Sequence, residues 1–153
     1  MADNTDLGQK LVTLSSQYIQ IANNMSTTAY VNFRSGAMQK ADFDKTHDYV
    51  QQLLQQAADI NRQAADAIFD DINVDVKSID QAIQNLKTAA DKIQKVTKIV
   101  NISTDALESL ASIALAVTSP TPINIMSAVQ SANNLAIAII GLEDAKNPSS
   151  PAA

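Results

Sequence analysis

The sequence predicts an all-α protein, an antiparallel up-down bundle of four to five helices whose last region is an uncharged helical hairpin. Three observations carry that expectation. Apolar residues recur at intervals of three and four along most of the chain, the spacing that lines one face of a helix. Glycine occurs three times and proline four times in 153 residues, so little interrupts long helices. Hydrophobic residues make up 46% of the chain but aromatics only 4%, with no tryptophan, so the core must be built from Leu, Ile, Val and Ala.

The first helix is expected over 6–34. Leu7, Leu11, Leu14, Tyr18, Ile21 and Met25 form its stripe, continued by Thr28, and Ser35-Gly36 supplies the left-handed residue that helix ends favour. The second is expected over 42–69 with Asp42 as N-cap. Phe43, Val50, Leu54, Ala57, Ala64 and Ile68 share its face, and Leu53, Ile60 and Ala67 widen that face enough to meet two neighbours. The run Asp70-Asp71-Ile72-Asn73-Val74-Asp75 then reads as a turn, because short polar side chains there hydrogen-bond their own backbone.

A third helix is expected over 75–101, with Val76, Ile79, Ile83, Leu86, Ala90, Ile93, Thr97 and Val100 in register. Three helices of similar length with short connections imply antiparallel neighbours. The fourth is expected over 104–118, starting at a cap among Ser103, Thr104 and Asp105, with Asp105 and Glu108 spaced as in a capping box. The fifth is expected over 122–142, capped by Thr121 with Pro122 at the first helical position. Together these make one domain over 6–143, between tails at 1–5 and 144–153 that lack apolar spacing.

No charged residue occurs from 109 to 142, and Ser119-Pro120-Thr121-Pro122 divides that region into two arms. Leu107, Leu110, Ile113, Leu115 and Val117 are the large apolar residues of the first arm. Ile123, Met126, Val129, Ala136, Ile137 and Ile140 give the second its apolar side. Spanning a bilayer takes roughly 20 consecutive apolar residues, and the first arm offers about half of that. The second is interrupted by Asn124, Ser127, Gln130, Ser131, Asn133 and Asn134, so a constitutive transmembrane hairpin is not expected. Three roles remain, in order of expectation: completing the bundle core, release into a membrane or partner, and a permanent oligomer interface. In layout, though in no motif, long amphipathic helices around an uncharged hairpin are similar to helical pore-forming toxins and colicin-like domains.

The formal charge is −5 and no stretch concentrates Lys and Arg, which argues against nucleic acid as a partner. Lys87, Lys92, Lys95 and Lys98 are the most basic group, and their place near a helix C-terminus suits the helix dipole. Gln51, Gln52, Gln55, Gln56, Gln63, Gln81, Gln84 and Gln94 crowd the second and third helices, while glutamate occurs only as Glu108 and Glu143. Amide-rich faces of this kind solvate a helix with little like-charge repulsion, which eases self-association.

Conventional chemistry has little to work with. Nucleophilic catalysis needs an oriented base and the chain has one histidine, no cysteine is present for a thiolate metal site, and there is no Gly-rich phosphate loop. Asp44, His47 and Asp48 share one helical turn, but first-turn carboxylates ordinarily serve the helix N-terminus. The acidic pairs around Asp66, Asp70 and Asp71 read as solvated groups.

The expectation is therefore a non-enzymatic binding or assembly module, without cofactor or metal, that acts through apolar helix faces on a protein partner or on a second copy of itself. The alternative is a membrane-active protein, resembling a pore-forming or toxin component, whose hairpin 107–142 enters a bilayer. Residues 1–10 lack the basic start and apolar run of a secretory signal, so the expected address is the cytoplasm, or export by a non-classical route.

Overall fold

A computed structural model of the chain describes residues 4–67, 72–93 and 99–146, with side chains placed for 7–67, 72–93 and 99–141. It contains five helices, α1 (Asn4–Arg34), α2 (Lys40–Asp66), α3 (Val76–Lys92), α4 (Ile99–Thr118) and α5 (Pro122–Lys146), and no strand among the described residues. The all-α bundle expected from the spacing is the fold.

Each helix has a local reason to start or stop. α1 ends in a Schellman turn: Gly36 takes φ +84°, Ala37 N donates to Asn32 O at 2.8 Å and Gly36 N to Phe33 O at 3.2 Å. Asp75 caps α3 by accepting from Lys77 N at 3.0 Å, and Thr121 caps α5 by accepting from Asn124 N at 3.1 Å, with Pro122 as the first helical residue. Asp42 does not cap α2. The N-cap there is Gln39, whose side chain makes no capping bond, and Asp42 sits in the first turn, where its charge still favours the helix dipole.

The helices close into a ring in the order α1, α2, α4, α5, α3, with α1 also touching α4 across the middle. Residue pairings give their directions. Lys10 pairs with Asp80 at 2.5 Å and Asn24 Nδ2 donates to Ala90 O at 2.8 Å, so α1 and α3 run parallel. Tyr18 meets Ser109 and Met25 meets Ser103, so α1 and α4 run antiparallel. Direction thus alternates along the chain, yet α2 and α3 are not among the packed pairs: α4 takes the place beside α2. The broad apolar face of α2 does meet two neighbours, α1 and α4.

One aliphatic core fills the ring. Leu7, Leu11, Leu14, Tyr18, Ile21 and Met25 are all buried, as are Val50, Leu53, Ala57 and Ile60 of α2 and Ile79, Ile83, Leu86 and Ala90 of α3. Phe33 stacks on Phe43 with ring centroids 4.7 Å apart, closing the α1–α2 hairpin.

Several expected boundaries shift. α3 ends at Lys92 rather than near 101, and α4 begins at Ile99 rather than at a cap among Ser103, Thr104 and Asp105. Ser103 lies buried inside α4, donating to Ile99 O at 3.0 Å and to Met25 Sδ, so its hydroxyl is satisfied within the helix rather than at its start. Thr104 likewise donates back to Asn101 O at 2.9 Å. α2 stops at Asp66, short of 69. α1 and α5 reach Asn4 and Lys146, inside the expected tails. Ile68, Asp70, Asp71, Gln94, Lys95, Thr97 and Lys98, and the remainder of both tails, lie outside the described residues.

Candidate functional site: the outer face of α5

The ten hairpin residues singled out from the sequence divide between core and surface. Leu110, Ile113 and Val117 of α4 and Val129 of α5 are buried, and Leu107 and Ile140 are half-buried against the same core. Leu115, Ile123, Met126 and Ile137 are instead exposed, at 52, 78, 39 and 68%. In α4 the inward stripe runs Ile99, Ile102, Ala106, Leu110, Ile113, Ala116 and Val117, and Leu115 steps off it.

The apolar side expected for α5 needs correction. Ile125, Ala128, Val129, Ala132, Leu135, Ala136 and Ile139 face the core, so Val129 and Ala136 were placed rightly whereas Ile123, Met126 and Ile137 point outward. The cause is composition. From 122 to 142 every side of α5 is apolar or neutral, so hydrophobic contrast does not orient it, and the buried alanines let α5 pack closely between α3 and α4.

After Pro122, the exposed positions among the described side chains of α5 are Ile123, Met126, Ser127, Gln130, Asn134, Ile137 and Gly141, and their spacing of three and four makes them one continuous stripe. It carries no charge. Ile123 and Ile137 stand near its two ends, about 21 Å apart at ~1.5 Å per residue. Beside the Ile123 end, a groove of about 870 Å³ opens between α5 and the start of α3, lined by Ile123, Met126, Gln130 and Asn133 on one side and Asp75, Lys77, Ser78 and Gln81 on the other.

Amides run along this border. Gln81 Nε2 donates to Asn85 Oδ1 at 3.1 Å, and Asn85 Nδ2 donates to Asn133 Oδ1 at 2.9 Å, tying α3 to α5. From sequence, Ser127, Gln130 and Asn134 read only as interruptions of an apolar arm. Their three-and-four spacing with Ile123 and Ile137 was the available signal that they share its face. On the α4 side a smaller cleft of about 260 Å³ is lined by Asp105, Glu108, Ser131, Asn134 and Ala138, so carboxylates border the stripe near both ends, Asp75 by Ile123 and these two by Asn134.

The other candidates stay dispersed. Asp44, His47 and Asp48 are all exposed, and Asp44 pairs with Lys40 at 3.0 Å. No three metal-ligating side chains converge among the described residues. Lys87 is exposed and Lys92 half-buried. Tyr30 and Val31 are exposed near the end of α1, with the Arg34 guanidinium 5.7 Å from the Tyr30 ring centre.

Between α1 and α4 lies a buried polar seam. The Tyr18 hydroxyl is hydrogen-bonded to Ser109 Oγ, and burial pushes its phenol well above the ordinary tyrosine range despite that bond. No family model matches the chain, and comparison with curated proteins and with solved structures likewise yields no match.

Proposed function

We propose that this chain is a non-enzymatic binding or assembly module whose working surface is the outer face of α5. One observation carries the reading: a continuous stripe that exposes Ile123, Met126 and Ile137 and lacks charge, on a protein of net charge −5. Solvated helix faces ordinarily carry charge, and apolar residues gathered on a neutral face favour contact over solvation.

The test uses Ile123→Asp and Ile137→Asp. Both side chains are exposed, so neither change should lower the melting temperature noticeably, while an introduced charge should abolish association through this face. Ile113→Asp is the contrasting control, because Ile113 is buried and an unpaired carboxylate there should unfold the bundle. Size exclusion with light scattering reads the association and circular dichroism reads the fold. Association unchanged in both surface variants would remove the α5 face from consideration.

A second reading is favoured by helix length. The first hairpin arm is longer than the sequence suggested, since α4 begins at Ile99. Ile99–Thr118 and Pro122–Gly141 are each 20 residues with mean hydropathy 1.3, enough to cross a bilayer by length and composition. Against it, these helices also supply much of the core, as core helices of soluble bundles do, with 44 and 39% of their apolar windows buried. Flotation with anionic vesicles separates the readings: the binding module stays with the soluble fraction, whereas a membrane-active hairpin floats and releases a trapped dye.

A further inference from the structure

We infer that Ser109 is the positioning residue of the α4–α5 hairpin: its hydrogen bond to Tyr18 fixes the rotation of α4 about its own axis, and through the turn that follows it decides which side of α5 meets water. The inference concerns how the α5 face is oriented, and it stands whether or not that face takes a partner.

Apolar contrast leaves the rotation of α4 open in one direction. Its buried stripe, from Ile99 to Val117, adjoins a second run of apolar residues, Val100, Leu107, Ala111, Ala114 and Leu115. Of these, Leu107 and Ala114 are already half-buried against the core. At ~100° per residue, a turn of roughly 60° toward that run would exchange Ile102, Ser109 and Ala116 for Val100, Leu107 and Ala114. The incoming set is at least as apolar as the outgoing one, so burial of hydrocarbon does not oppose the turn. Rotation the other way carries Asp105 toward the core, where a carboxylate without a counter-charge is strongly disfavoured. α5 settles nothing by itself, being uncharged on every side from 122 to 142.

The polar seam closes the direction that hydrophobicity leaves open. Ser109 lies on the border of the buried arc where α4 meets Ser131 and Leu135 of α5, and its Oγ is hydrogen-bonded to the Tyr18 hydroxyl. Rotation toward the second apolar run withdraws Ser109 from α1. The Tyr18 hydroxyl is then left without a partner inside an aliphatic core, at the full cost of its desolvation. The turn transmits the constraint to the second arm: Ser119 N donates to Leu115 O at 2.8 Å and Asn124 Nδ2 donates to Ser119 O at 2.8 Å, so both helices are bonded to the same residue. With α4 held in one rotation, α5 is delivered with Ile123, Met126 and Ile137 outward.

The chain contains no cysteine, so single thiols introduced into the full chain report exposure cleanly. Ser127→Cys reports the outward stripe, and Ala128→Cys and Ala136→Cys report two sides of the buried arc of α5. In the otherwise unchanged chain, maleimide should modify the first about a hundredfold faster than the other two. The double variant Tyr18→Phe/Ser109→Ala removes both hydroxyls together and leaves neither unpaired. In it, Ala128→Cys or Ala136→Cys should come within roughly tenfold of Ser127→Cys, while circular dichroism shows unchanged helicity and a cooperative melt. Ile113→Val, which thins the same buried stripe but keeps the seam, should lower the melting temperature and preserve the hundredfold contrast.

A contrast that survives intact in the double variant would overturn the inference. Loss of helicity in that variant would assign the seam to stability rather than to orientation and overturn it equally. The same loss of contrast in Ile113→Val would show that any weakening of the core loosens α5, and would leave Ser109 no special part.

Discussion

The phenol of Tyr18 is held in the seam where α1 meets α4, and that position makes it a reporter of the whole bundle. Its native pKa is raised by burial, so the stability it contributes is complete below the unfolded value of about 10 and is lost as pH rises beyond it, at up to ~1.4 kcal/mol per pH unit. Tyr18→Phe should cost about 1 kcal/mol at neutral pH, because Ser109 loses its partner, and should flatten the alkaline loss. Urea unfolding at neutral pH and above pH 10 checks both, and an unchanged alkaline slope in the variant would refute the assignment. Ser15 is also buried, but its hydroxyl finds no partner. Ser15→Ala should therefore raise stability by about 0.5–1 kcal/mol, by removing an unsatisfied group and improving helix propensity, and a fall in melting temperature would argue for a polar role at that point. The sequence disclosed that position 18 faces the core, since it lies on the stripe from Leu7 to Met25. It did not disclose Ser109 as its partner, because two residues so far apart in the chain meet only once α4 is docked.

Caps and turns set the helices, and they were the most legible features of the sequence. Ser35-Gly36 and Thr121-Pro122 were read correctly because their chemistry is local: a left-handed backbone favours glycine, and a hydroxyl three residues ahead of an unpaired N–H caps it. Gly36→Ala should cost about 1–2 kcal/mol. A Cβ there meets no atom within 4 Å, so the penalty is that of the backbone conformation alone. Thr121→Ala should cost about 1 kcal/mol, and hydrogen exchange should quicken in the first turn of α5 rather than throughout it. A uniform change along α5 would mean that the cap holds the hairpin and not just its first turn. Asp42 and the trio Ser103, Thr104 and Asp105 misled for one reason: residues that cap well also sit comfortably within a helix when their side chains bond back to it or reach solvent, as Ser103 and Thr104 do.

In the whole molecule the stability should concentrate where α1 and α4 meet. Each of these packs against three neighbours, whereas α3 packs against two. Amides in the middle of α1 and α4 should exchange only through global unfolding, and those near the end of α3 through smaller openings. Native-state hydrogen exchange checks that order, and α4 exchanging together with α5 ahead of α1 would instead mark the hairpin as a releasable unit. The sequence by itself determined the helical class, four to five helices, the inward stripes of the first three and the uncharged run from 109 to 142. Those properties follow from periodicity and composition, which are local. Only the tertiary structure decided that α4 lies beside α2, that α1 and α3 run parallel, and which side of α5 meets water. A helical stretch that is apolar or neutral all round, as α5 is from 122 to 142, has no preferred face until its neighbours supply one, so the outward turn of Ile123, Met126 and Ile137 was set by the packing of α3 and α4 against the opposite side.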